Sequence, residues 1–565
     1  MRLPVAALVF WVLAFQISWA LDRQAFTFTD YRLDVRIETE QCRLGVRGKV
    51  TLRNDSAAPQ KNLGLQISSS LDWRSIQIGG SPADFTTHVY TSDIDHTGAL
   101  SEAIVILPRE IPPKGTVEVT IGYEGVIPVD ATRLTRTGVP EEKARHADWD
   151  QIGKTFAGLR GLGFVTWYPV ATEPASLSEE GSVAEVLDQW EAREAQAKLN
   201  VNLSLDRNHG ENPETVLCSG QGGPTEQTGK TQQINVSCSF PVAGPSPPTL
   251  VAAEYQRLAP NDTLTVEYLA GQEESAKDYA EVAAQIDPIG SVGQGTGKLQ
   301  ILSLPDAGAS PFMTEGILFT PLNSPMTNEA ELGMVYAKAR QLVISERPWI
   351  REGLAHYAQA TFVERQKGRQ AALDYLQAHA AALVAEETAP GETGAATHSL
   401  INAPNDLYLQ SKAMFVWWML KDMLGNSPES ALVDYRMNED RDAAYVQRLI
   451  EGRVRDLTWF FDDWVYRDRG LPDFRIASVY PRPMVNGGYM VTVEVENLGS
   501  AGAVVPVTLR LQDGEVTKRL EVRGKTKASI RIETATLPQE AMVNDGSVPE
   551  SDMTNNEYKV KAGTR

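Results

Sequence analysis

Apolar and polar residues alternate through the first third of the chain. From Tyr31 the order Tyr-x-Leu-x-Val-x-Ile puts every second side chain on one face, and residues 48–54 repeat that period before a turn at Asp55-Ser56. Further strand signals fall at Ala103–Leu107 and Val117–Tyr123, parted by Pro112-Pro113-Lys114-Gly115. Others fall at Lys198–Leu205 and at Val216–Ser219, the latter opening into the loop Gly220-Gln221-Gly222-Gly223-Pro224. These runs predict a mostly antiparallel β region.

Beyond a Pro-rich break at residues 245–248, one more strand-like run, Leu264–Leu269, precedes a change of period. Ala276, Tyr279, Ala280, Val282 and Ala283 recur at helical spacing within Glu273–Ile286, and Lys298–Leu304 reads as a buried strand. A helix-rich stretch then extends to about Arg469. From Ile476 the period returns to two, at Tyr489–Asn497, Val504–Leu511, Lys518–Val522 and Ser529–Ile532, with turns at Gly499 and Asp513-Gly514. That is the pattern of a β-sandwich. The expected division is 1–20, 21–260, 261–472 and 473–565.

The first of these segments reads as a signal peptide. Met1-Arg2-Leu3 leads into a mostly apolar run from Val5 to Ile17, closed by Ser18-Trp19-Ala20, with small residues placed for cleavage after Ala20. No later run is apolar for long enough to span a bilayer, Ala413–Leu420 being the best. The mature chain is therefore expected to be exported, periplasmic or extracellular, and either soluble or associated with the cell surface. A formal charge of -20 without a basic patch argues against nucleic acid as a partner. Oligomeric state is left open. Three Cys permit one internal bridge; Cys218 with Cys238 is the favoured pair, on two strand-like runs joined by a Gly-rich polar loop, and three free thiols are the alternative.

The stretch from Trp349 to Gln359 carries the candidate chemistry. Trp349, Gly353, Tyr357 and Ala360 form an apolar stripe at helical spacing, with Pro348 placed for a helix start. Glu352 and His356 share another face of that helix, where a carboxylate and an imidazole can reach one cation or hydrogen-bond each other.

Trp349-Ile350-Arg351-Glu352-Gly353-Leu354-Ala355 resembles the W-L-N-E-G-F-A element of the membrane alanyl aminopeptidase family, the gluzincin zinc peptidases. Shorter likenesses keep the family order over nearly the whole mature chain: Gly122-Tyr123-Glu124-Gly125, Trp167-Tyr168-Pro169 and the segment Leu457–Phe474. The resemblance implies a multidomain β plus α architecture, with an N-terminal antiparallel β saddle and a thermolysin-like α+β domain. The C-terminal part is expected to be an Ig-like β-sandwich, since residues 548–556 resemble the closing strand of the bacterial cell-adhesion-related domain. The acidic and amide side chains there read either as a plain turn or as oxygen ligands for Ca²⁺.

In that family the Glu of W-L-N-E-G is the third zinc ligand, which points to Glu352 as a metal residue; His356 is a further candidate by its place on the same helix face, not by the resemblance. The family's H-E-x-x-H helix would place its first His at Glu329, its general base at Ala330 and its second His at Gly333, and none of these is the required type. None of the seven His has a partner at that spacing. Met313 and Glu315 stand where the family has the G-A-M-E-N element that grips the substrate's N-terminus, with Glu315 displaced by one. The Y-x-K-G element, whose Tyr stabilises an oxyanion, aligns on Lys412 and so places Gln410 at the Tyr position, with Tyr408 the alternative. Trp417 and Trp418 are read as core, and the adjacent pair Asp462 and Asp463 as a solvated face.

The reading that follows is an exported aminopeptidase-like pseudo-enzyme, without zinc or other cofactor, that binds a peptide or protein in the former active-site cleft. One alternative is an active zinc peptidase with a rearranged site built from Glu352, His356 and a distant residue such as His398. The other is a structural or adhesive envelope protein.

Overall fold

The computed structural model describes residues 21–179, 181–206, 214–220, 225–230, 233–240, 248–388, 399–402, 406–452 and 456–560, the side chains of 382, 385–388, 402 and 406–408 excepted. Strand Phe26–Glu38 realises the alternation from which the first region was read. Tyr31, Leu33, Val35 and Ile37 are buried, while Arg32, Asp34 and Arg36 face solvent. It is a central strand of a seven-stranded sheet in the order Gln233–Phe240, Lys198–Asp206, Phe26–Glu38, Arg43–Asn54, Thr116–Val126, Leu71–Ile78, Ser81–Pro82. Neighbours are antiparallel except for Phe26–Glu38 with Lys198–Asp206. A three-stranded sheet of Gln60–Ser68, Ala99–Ile111 and Asp84–Thr91 shares the same core.

A second antiparallel sheet has the order Thr225–Gly229, Glu214–Ser219, Thr249–Ala253, Phe156–Leu159, Gln151–Ile152. A disulfide joins Cys218 on its strand Glu214–Ser219 to Cys238 on Gln233–Phe240 of the larger sheet, with the Cα atoms 6.5 Å apart, and Cys42 is a half-buried free thiol. Three helices interrupt these strands: α1 (Thr132–Arg136), α2 (Glu141–Ala147) and α3 (Ser182–Glu194). The last lays Val183, Val186, Leu187 and Trp190 onto the core.

The next sheet is mixed. Leu264–Tyr268, Leu299–Ser303 and Ile317–Thr320 run parallel, and Gln256–Asn261 and Phe312–Thr314 close its two edges antiparallel. Residue 260 thus lies inside a strand of this sheet. Seven helices accompany it: α4 (Glu273–Gln285), α5 (Asn328–Leu342), α6 (Pro348–Lys367), α7 (Arg369–Thr388), α8 (Asp406–Leu424), α9 (Tyr445–Glu451) and α10 (Thr458–Phe461). The stripe Trp349, Gly353, Tyr357, Ala360 packs α6 into the centre of this group. Trp349 stacks on Trp417 of α8, the ring centroids 5.3 Å apart and the planes inclined by 11°, and Trp417 Nε1 donates to the Trp349 carbonyl at 3.2 Å. Trp418 is buried beside them. None of the described helices is long and apolar enough to cross a membrane.

After Pro472 two sheets face each other, Phe474–Pro483, Tyr489–Asn497, Lys527–Thr534 and Gly514–Val522, Ala503–Leu511, Glu540–Val543, Glu557–Lys559. Val491, Val493, Val495, Val505, Val507 and Leu509 fill the space between them, in a core continuous with that of the helices. The whole is a β-rich multidomain fold. One expectation is corrected at this junction. Asp463 is buried rather than solvated, accepts from the Gly502 backbone N–H at 2.9 Å and pairs with Arg469 at 3.1 Å. The adjoining Trp464 donates to Gly502 O at 2.7 Å, so the loop before Ala503–Leu511 covers a face that an isolated helix would leave wet. Asp462 keeps surface partners, Arg467 and Arg469.

Candidate functional site

Glu352 and His356 lie on one face of α6, and α5 runs along that face in the opposite direction. Gln359 Nε2 donates to Leu332 O at 2.9 Å, Tyr336 Oη donates to Glu352 Oε2 at 2.5 Å, and Arg340 Nε stands 3.2 Å from Glu352 Oε1. Arg351, the neighbour of Glu352 in sequence, brings a second guanidinium to the same oxygen at 3.4 Å. Thr327 caps α5 by accepting from Ala330 N at 3.1 Å, which fixes where this face begins.

The electrostatics follow from that packing. Burial alone would raise the Glu352 carboxyl, but Arg340, the Tyr336 hydroxyl and Arg351 together hold it below the ordinary carboxylate range. Burial, with Arg340 as a like charge, lowers the Arg351 guanidinium, while Glu352 and Glu315 oppose the effect. His356 is likewise pushed down by burial, against the pull of Glu352, with His379 of α7 adding repulsion. Its Nδ1 is 2.9 Å from Gln359 Oε1, which also accepts from Tyr375 Oη at 3.1 Å. Nδ1 therefore carries the proton and Nε2 presents its lone pair. That Nε2 is buried and, among the described residues, has no hydrogen-bond partner. The imidazole packs on Tyr336 with ring centroids 4.9 Å apart.

These donors do not fit a zinc ion. Such an ion needs three protein ligands with free lone pairs around an open position. His356 Nε2 meets that need, whereas Glu352 spends its oxygens on two guanidiniums and a phenol. Among the described residues no group of three or more His, Cys, Asp or Glu converges for a metal. At the positions matching the family's first His, base and second His, Glu329 is exposed, Ala330 is buried and Gly333 has open space where a Cβ would stand.

Met313 lies half-buried on the edge strand Phe312–Thr314, opposite Leu318, and Glu315 sits in the turn that follows at φ +27°, near enough for its charge to reach Arg340 and Arg351. Gln410 is half-buried on α8. The Tyr408 side chain and His398 fall outside the described residues. Sequence reading did not find Tyr336, Arg340, Arg351, Gln359 and Tyr375 as members of this cluster. Tyr336 and Arg340 do carry a signal, the same four-residue spacing as Glu352 and His356 on the preceding helix.

No family model matches the sequence, and no curated protein matches it. Solved structures do. Aminopeptidase A of Legionella pneumophila superposes on 93% of this chain at 11% identity with a TM-score of 0.53, this chain spanning 59% of that protein. A point mutant of the M1 zinc metallopeptidase of Deinococcus radiodurans aligns with 80% of this chain and 96% of its own at 15% identity, with a TM-score of 0.43. The fold of this chain is aminopeptidase-like.

Proposed function

We propose that this chain is an exported, non-catalytic aminopeptidase-like protein that binds a peptide or protein segment where a peptidase would hold its substrate. The observation that carries the reading is the engagement of Glu352 by Arg340, Arg351 and Tyr336. Guanidinium charge replaces the charge a metal would bring, so the carboxylate stays ionised in the interior without one. The edge strand Phe312–Thr314 supplies a backbone edge for an extended ligand. The same reading divides the mature chain into a β saddle, a thermolysin-like domain and, after residue 472, an Ig-like sandwich. It places the protein in the periplasm or at the cell surface.

A second reading, a zinc peptidase with a rearranged site, is favoured by the partnerless Nε2 of His356. Elemental mass spectrometry of the purified mature chain separates the two. Less than a tenth of an equivalent of zinc, with no turnover of aminoacyl amides, is expected. One zinc per chain, lost in both Glu352→Ala and His356→Ala, would establish the second reading.

A further inference from the structure

The closing segment of the C-terminal sheets gathers oxygen-bearing side chains around two carboxylates. Glu550 is 4% exposed; its Oε1 accepts from Asn544 Nδ2 at 2.7 Å and from Asn556 Nδ2, and its Oε2 from the Phe474 N–H at 2.9 Å. Asp473, one residue before Phe474, accepts from Asn555 Nδ2 at 2.9 Å. Among the described residues neither carboxylate has a Lys or Arg partner.

The amide oxygens of this cluster are the second observation. Asn555 Oδ1 and Asn556 Oδ1 are both buried without a donor among the described residues, and Asn556 is 5% exposed. A buried carbonyl oxygen normally finds a partner. Turning the two amides over exchanges each Oδ1 with its Nδ2. The oxygens would then face Glu550 Oε1 and Asp473 Oδ1, an arrangement that a cation between them satisfies. In either orientation the cluster lacks positive charge.

We propose that a divalent cation of the calcium class binds between Asp473 and Glu550, with the side-chain oxygens of Asn555 and Asn556 as further ligands and water completing the shell. Carboxylate and amide oxygens in an irregular array suit Ca²⁺, which accepts six to eight oxygens. Mg²⁺ demands stricter octahedral geometry, and Zn²⁺ prefers nitrogen and sulfur. The cation would fasten residues 550–556 to the start of strand Phe474–Pro483, stabilising the folded chain by linkage. The affinity expected of an extracellular module of this kind is about 0.1–1 mM.

The test is calorimetric titration of the EDTA-treated, dialysed full chain with CaCl₂, paired with thermal unfolding in CaCl₂ and in MgCl₂ at equal ionic strength. A saturable heat near one ion per chain is expected, with a rise in unfolding midpoint that Mg²⁺ does not reproduce. Asp473→Asn, which keeps the neighbouring amide contacts, and Glu550→Gln should each weaken binding at least tenfold. Absence of saturable heat from the unmodified chain at roughly ten times the expected dissociation constant would overturn the proposal. So would undiminished binding in both variants. The unmodified chain decides the matter alone if a variant fails to fold.

Discussion

Tyr336 and Glu352 meet across α5 and α6, the phenol donating to the carboxylate at 2.5 Å, with Arg340 one turn beyond Tyr336 on the other oxygen. A carboxylate held in this way is compensated from within the protein. Arg340→Met should therefore destabilise the chain by about 3 kcal/mol, because it leaves a buried carboxylate short of one cation. Adding Glu352→Gln should recover roughly half of that loss. Urea unfolding of both variants measures the effect, and an Arg340→Met variant as stable as the parent would show that Arg340 does not compensate Glu352.

Two glycines on neighbouring helices should respond oppositely to one methyl group. At Gly353 a Cβ would stand 2.7 Å from Ala413 Cβ and 2.8 Å from the Trp417 indole, so Gly353→Ala should cost about 1–3 kcal/mol by forcing α6 and α8 apart. At Gly333 a Cβ meets nothing within 4 Å, and Gly333→Ala should stabilise α5 by about 0.5–1 kcal/mol. Thermal unfolding of the pair side by side reads the contrast.

Glu194, at the end of α3, has its carboxyl pushed up to about 8 by burial, with Arg193 only partly offsetting this. The folded chain therefore holds a proton there that the unfolded chain releases near pH 4.5. This contribution to stability is complete below that pH and declines as pH rises toward 8. Glu194→Gln should remove the decline, raising stability at pH 8 by on the order of 3 kcal/mol and changing little at pH 4. Unfolding midpoints across that range provide the check.

The bridge between Cys218 and Cys238 closes a loop of sequence separation 20. Replacing both residues with Ala should lower stability by about 3 kcal/mol through the freed unfolded chain. Peptide mapping of unreduced protein should yield the linked pair, with Cys42 alkylated before reduction.

Much of the architecture was legible because it is written locally. The period-two runs at Tyr31 and Tyr489 and the Trp349 stripe each describe one element facing one core. Within the site, the common face of Glu352 and His356 follows from helical geometry alone. Their true partners do not, because the register of α5 against α6 is a tertiary fact: nothing near Tyr336 in sequence says which turn of the next helix it will meet. Helix α3 is a different kind of miss. Val183, Val186, Leu187 and Trp190 keep a helical period, but the β signals on either side mask it. Asp463 reads as solvated in sequence because its covering residue, Gly502, lies in a distant loop that leads into the next sheet.

The lone parallel pair of the large sheet sets an order on assembly. Strand Phe26–Glu38 finds one neighbour at once, in Arg43–Asn54, yet its other neighbour arrives far later; Arg36 meets Asp206 across 170 residues. Until then the strand presents a bare row of amides, a template for any other extended chain. Closing so wide a loop is slow compared with hairpin formation. Until residues 198–206 have been made and have docked, one side of this sheet stays open, and the chain is exposed there to pairing with other extended segments.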